Sequence, residues 1–101
     1  MRLARAIGKV EAMSVTVHIP HIMQNRAGGR EAVQVQGSDV GSCLKELVRS
    51  HPDLEPELFS NGRLQNHIEI YVNLESAYPQ ELAKPVRDGD EIHITLMLSG
   101  G

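Results

Sequence analysis

The chain holds few residues equipped for catalysis. Cys43 is its single cysteine, and histidines stand at positions 18, 21, 51, 67 and 93. Cys43 lies in the series Val40, Cys43, Leu44, Leu47, Val48, an apolar stripe at helical spacing. A thiol in such a stripe packs as a small hydrophobe, whereas a reactive thiolate needs an electropositive, partly open setting. One cysteine also excludes an internal disulfide framework, an iron–sulfur cluster and a cysteine-rich zinc site. No serine stands in a G-x-S-x-G context. Gly28-Gly29 lacks the Lys and Ser/Thr of a phosphate loop. His18 and His21 are three apart in an extended run, so they face opposite ways. His18, His67 and His93 alternate with core-facing positions and share the outer parity. The expectation there is a solvated or partner-binding face, and no metal site is assigned.

The informative chemistry stands at the other end. After Glu91 comes no charged residue, and after Ser99 no side chain: the sequence finishes Leu98-Ser99-Gly100-Gly101. A Gly-Gly end is thin and conformationally permissive, with nothing to crowd its carboxylate. It can be threaded into another enzyme's active site and activated there by ATP as an acyl-adenylate. A sulfur nucleophile would then leave a thiocarboxylate, and an amine an amide.

Such an end needs elements to hold it. Val15, Val17 and Ile19 alternate with polar residues and predict a first strand from Ser14. Ala32, Val33 and Val35 predict a second, over 30–36, joined to the first by a loose loop of about five residues around Gly28-Gly29. Gly37-Ser38-Asp39 offers a helix cap ahead of the Val40–Val48 stripe, and His51-Pro52 ends that helix. Leu54, Leu58 and Phe59 predict one further turn on the core, and Asn61-Gly62 a tight turn. Ile68, Ile70 and Val72 predict a third strand. Residues 74–87, with Pro79 and Pro85, read as irregular, with a short turn or minor strand over 77–82. Asp88-Gly89-Asp90 is a turn, and a last strand follows from Ile92 to the terminus. The order β, β, α, β, irregular, β predicts an α+β two-layer domain, with the first and last strands in the middle of the sheet.

One hundred and one residues allow one domain. Hydrophobic residues at 41% and charged residues at 23% are an ordinary globular balance. The longest run without Asp, Glu, Lys or Arg is Ala12–Asn25, fourteen residues and too short to span a bilayer. Net charge is −3, which disfavours nucleic acid as a partner. The charge is uneven: residues 1–12 carry +2, and the remainder carries seven basic against twelve acidic residues. Residues 1–12 place Leu3, Ala6, Ile7 and Val10 on one helical side but lack a secretory core, so they read as a flexible extension ahead of a domain over 13–101. A cytoplasmic location without membrane contact is the expectation. The clusters Asp53, Glu55, Glu57 and Asp88, Asp90, Glu91 suit solubility or a basic partner.

The body resembles the MoaD/ThiS family of ubiquitin-like sulfur carriers. The residues that carry the resemblance are Met13-Ser-Val-Thr-Val-His-Ile-Pro20, Gly28-Gly29, Ile70-Tyr71-Val72-Asn73, Val86-Arg87-Asp88-Gly89-Asp90-Glu91-Ile92 and the final Ser99-Gly100-Gly101. Ile19-Pro20 and the double glycine are closer to the cysteine-biosynthesis type of carrier than to the thiamine type. Leu96-Met97-Leu98-Ser99 departs from the proline and alanine that many relatives carry there.

The resemblance implies a ubiquitin-like β-grasp: a mixed sheet of four to five strands with one main helix on one face. It implies that the Gly101 carboxylate, presented through Gly100, is adenylated by an activating enzyme of the ubiquitin-activating type and then converted to a thiocarboxylate. The sulfur comes from a donor and passes to an accepting enzyme, either cysteine-synthase-like or a molybdopterin synthase large subunit. The carrier would be a protein co-substrate rather than an enzyme, with no bound cofactor and ATP consumed by its partner. The outer sheet face is the candidate interface, with His18, Tyr71, His93, Thr95 and Met97 by parity and Leu98 and Ser99 leading to the tail. Two other roles share this fold: a small subunit of molybdopterin synthase, and a ubiquitin-like modifier or binding module.

Overall fold

The computed structural model describes residues 14–97 of the chain. Residues 1–13 and 98–101, and with them the expected extension and the Leu98–Gly101 tail, lie outside the described residues. Strand β1 (Ser14–His18) pairs antiparallel with β2 (Ala32–Gln36), Ser14 against Gln36 and His18 against Ala32. Helix α1 (Val40–Ser50) follows, then a short helix α2 (Glu55–Leu58) and a two-residue hairpin of β3 (Phe59–Ser60) and β4 (Arg63–Leu64). Strands β5 (Ile68–Val72), β6 (Glu75–Ser76) and β7 (Glu91–Leu96) complete the chain. The five-stranded sheet runs β2-β1-β7-β5-β6. It is mixed, because β7 lies parallel to β1 and antiparallel to β5. First and last strands are therefore neighbours at the centre, as their apolar faces predict.

The core lies between the sheet and α1. Val15 and Val17 of β1, Ile70 of β5 and Ile92 and Ile94 of β7 meet Val40, Cys43, Leu44 and Leu47 of the helix, all of them buried. Val48 is only partly covered. Leu54 and Leu58 close the lower edge as expected, with Phe59 packed against them. Burying each large aliphatic side chain contributes about 1.5–3 kcal/mol. Among the described residues no helix is long and apolar enough to cross a membrane.

Helix α1 starts at a capping box. The Asp39 carboxylate accepts the Ser42 N–H at 2.7 Å, and the Ser42 hydroxyl in turn accepts the Asp39 N–H at 3.3 Å. Gly37 lets this cap form: a Cβ there would meet Ser42 Oγ at 2.6 Å and Cys43 Sγ at 2.9 Å. The helix ends at His51, ahead of Pro52.

Four sequence expectations need correction. The connection between β1 and β2 is no loose loop but a 3-10 helix over His21–Ala27, held by buried Met23 and Ala27 and ended by Gly28 at φ +68°. Two apolar anchors in seven residues give too short a pattern to read as a helix. Strand β2 consequently starts at Ala32 rather than Arg30. The Asn61-Gly62 turn is present as expected and joins the β3–β4 hairpin, whereas residues 75–76 form a minor strand earlier than expected and 81–83 form a 3-10 turn. Strand β7 ends at Leu96, because its partner β5 begins at Ile68 opposite it; Met97 N–H still donates to the His67 carbonyl at 2.7 Å.

The 87–90 turn ties β1, β5 and β7 together. The Ser14 N–H donates to the Asp88 carboxylate at 2.9 Å, and Gly89 N–H donates to the Ser14 carbonyl at 2.9 Å. Asp90 accepts the Arg87 N–H at 2.9 Å and the Asn73 side-chain amide at 3.2 Å. Asn73 then accepts the Glu91 N–H at 3.0 Å through its own side-chain oxygen. Gly89, at φ +88°, occupies the left-handed region that a side chain strains. Two carboxylates of the Asp88, Asp90, Glu91 cluster thus accept hydrogen bonds within the chain.

Two measurements check this account. Asp39→Ala should cost about 1 kcal/mol in urea unfolding, the usual worth of an N-cap. The Arg87 N–H, and after it the Asn73 amide, hold the Asp90 carboxyl below the usual carboxylate range. A depressed folded value means stabilisation present above the unfolded value and lost as pH falls through the folded one. Loss of the hydrogen bonds that Asp90 accepts, screened by solvent at this open turn, should lower stability in Asp90→Ala by less than about 1 kcal/mol at neutral pH, and the difference from the parent should shrink in an acid titration of unfolding.

Candidate functional site: the last strand and the outer sheet face

Strand β7 carries the chain toward its Gly-Gly end through the middle of the sheet. On the face away from α1, the parallel register sets His18 directly beside His93 and Thr16 beside Glu91. Pairing with β5 sets Tyr71 on the other side of His93 and Glu69 beside Thr95. Alternation puts all of these on one face, because their neighbours Val17, Ile92, Ile94 and Ile70 point into the core.

Four expected interface residues thus share this face: His18, Tyr71, His93 and Thr95. The His18 and His93 rings stack with centroids 4.3 Å apart and planes 4° from parallel. Thr95 donates its hydroxyl to the Glu69 carbonyl at 3.3 Å. Met97 sits just past the strand, 46% exposed, beside a groove lined by Ile68, Glu69 and Tyr78. His67 is exposed at the turn before β5 and is not part of the stacked pair. Leu98, Ser99, Gly100 and Gly101 lie outside the described residues.

Sequence reading missed the part that Glu91 plays. Counted there with the turn acids, it is the first residue of β7, and its carboxylate lies 3.0 Å from His18 Nε2 and 3.7 Å from His93 Nε2. The signal was present: Glu91 is two residues from His93, the spacing that places both on one side of a strand. What the sequence lacked was the parallel neighbour, His18.

Cys43 is fully buried under the helix, as expected. Burial first, then the Asp39 and Glu46 carboxylates, push its thiol up to about 11. It is a packing residue and no nucleophile near neutral pH. The Ser50 hydroxyl lies 3.0 Å from His51 Nδ1 at the exposed end of α1, and it donates to the Leu47 carbonyl at 3.1 Å.

Comparison with known proteins supports the β-grasp fold. The ThiS family model matches residues 17–101. Small archaeal modifier protein 1 of Haloferax volcanii is 38% identical over 78 residues, covering 74% of this chain and 86% of that protein. A chain of the crystallised Amycolatopsis orientalis BexX/CysO complex superposes with a TM-score of 0.78 at 31% identity, over 86% of this chain and 99% of that one. Mycobacterium tuberculosis CysO, described as an antigen, superposes with a TM-score of 0.76 at 31% identity, over 83% and 99%. With its β-grasp sheet, its Asp-Gly-Asp-Glu turn and a family match that runs through Gly100-Gly101, this chain belongs to the ThiS family of ubiquitin-like sulfur-carrier proteins.

Proposed function

We propose that the protein is a sulfur carrier whose working group is the carboxylate of Gly101. The carboxylate oxygen attacks the α-phosphorus of ATP on an activating enzyme, and pyrophosphate leaves. A hydrosulfide-equivalent donor attacks the resulting acyl-adenylate, AMP leaves, and a thiocarboxylate remains. Its sulfur is a soft anionic nucleophile that displaces a leaving group from an electrophile held by an accepting enzyme. Hydrolysis of the acyl–sulfur bond then returns the carboxylate. Both nucleophiles are the terminal group of the carrier, first as carboxylate and then as thiocarboxylate, and the scheme calls on no side chain of the carrier.

The observation that carries this reading is the family match through Gly100-Gly101, on a segment that leaves a central strand rather than a sheet edge. Ile19-Pro20 and Gly28-Gly29, closer to the cysteine-biosynthesis type of carrier, support cysteine biosynthesis as the destination. Docking is assigned to the face bearing His18, Tyr71, His93 and Thr95, with Met97, Leu98 and Ser99 along the approach to the tail. Tyr and Met are favoured at protein contacts. The protein partners are the adenylating enzyme, the sulfur donor and a cysteine-synthase-like acceptor.

A second reading has a specific observation behind it: the Haloferax volcanii relative is named a modifier. An amine attacking the same adenylate would give an isopeptide instead of a thiocarboxylate.

Intact-mass analysis of the chain isolated with its activating enzyme, ATP and sulfide separates the two. The carrier reading expects a species heavier by the difference between sulfur and oxygen, located on the peptide ending at Gly101. Conjugates to lysine side chains without that species favour the modifier. An alanine appended after Gly101 should slow adenylate formation by on the order of a hundredfold, the cost of misplacing a reacting atom by about 1 Å. Undiminished activation of the extended chain would refute the role given to Gly101.

A further inference from the structure

We propose that His18, Glu91 and His93 form a binding site for a divalent transition ion, with Zn2+ as its natural occupant. Two strands supply the ligands, and the parallel register brings them together: His18 is directly opposite His93, and Glu91 lies two residues before His93 on the same face. The three ligand atoms lie within 4.8 Å of one another. Both His Nε2 atoms approach the same carboxylate oxygen, Glu91 Oε1, at 3.0 Å and 3.7 Å.

The distances suit a metal after a small adjustment. Zinc bonds of about 2.0–2.2 Å at tetrahedral angles put neighbouring ligand atoms roughly 3.4 Å apart. The two nitrogen–oxygen edges, 3.0 Å and 3.7 Å, bracket that value, and with all three ligand atoms within 4.8 Å of one another side-chain shifts of about 1 Å close the set. The stacked rings are free to turn about their terminal torsions, since the His18, His93 and Glu91 side chains are 38%, 36% and 51% exposed. Their backbones are held by the ladder in the middle of the sheet, so the site stands on a rigid base.

The donor set selects the ion class. Two imidazole nitrogens and one carboxylate match borderline divalent ions such as Zn2+. The cluster holds no thiolate to favour Cu+, and it is not the all-oxygen cage of Ca2+ or Mg2+. Three ligands from the chain leave a position open to water or an outside group. This inference is independent of the sulfur-carrier reading, and its test uses the chain alone.

The purified full-length chain, freed of metal with a chelator, is titrated with ZnCl2 in competition with a chromophoric zinc indicator. One Zn2+ per chain is expected. Loss of a direct ligand in His93→Gln or His18→Gln should weaken binding by more than about tenfold, beyond the low end of the effect of losing an outer partner. Glu91→Gln should weaken it in the same direction, while His51→Gln should leave it unchanged. Circular dichroism reports whether each variant keeps its fold. In amide NMR spectra of the parent, Zn2+ should shift signals over 16–19 and 91–94. The proposal is overturned if the chain fails to compete with the indicator. It is equally overturned if stoichiometric binding survives the double change His18→Gln/His93→Gln, or if the shifts centre elsewhere.

Discussion

The parallel pairing of β1 with β7 is the constraint on which the rest of the molecule depends. It joins residues more than seventy positions apart in the sequence, so closing it carries a loop-entropy cost that local contacts cannot offset. Two things hold it. Val15 and Val17 share the core side with Ile92 and Ile94 and are covered there by α1. The 87–90 turn adds fixed polar contacts at the start of the pairing, through Asp88 to Ser14 and Asp90 to Asn73. A slip of one residue would turn Ile92 and Ile94 to solvent and His93 into the core.

That pairing also fixes where the segment after β7 leaves the body, which is what the proposed carrier role needs. The last strand is held on both sides by neighbouring strands, so the chain beyond it starts from a fixed place. The reactive group can then be left to the tail, and the chemistry to whichever enzyme receives it. Cys43 is buried with a raised pKa, and the Asp88 and Asp90 carboxylates accept hydrogen bonds from the backbone around the turn.

The outer face has a different character from the core face. Its residues are partly exposed and include titratable groups drawn from three strands. One face of a sheet that packs a helix while the other stays open gives a small protein both a core and an open polar surface from the same strands. His18, Glu91 and His93 are held there by register, not by any local motif.

Periodicity alone was enough for β1, α1, β5 and β7, because each buries a clear stripe at spacing two or about three and a half. Asp39 and His51-Pro52 marked the ends of α1, and Asp88-Gly89-Asp90 marked its turn, through local backbone chemistry that needs no partner. Short elements escaped: the 3-10 helix over His21–Ala27 has two apolar anchors, and β3, β4 and β6 have two residues each, so their form comes from what they pack against. Strand neighbours escaped as well. The sequence by itself determined which side of each strand is wet and where the Gly-Gly end lies. Only the tertiary structure decided that His18 stands against His93 with Glu91 between their ring nitrogens, because register is a property of two distant segments together and is written in neither one.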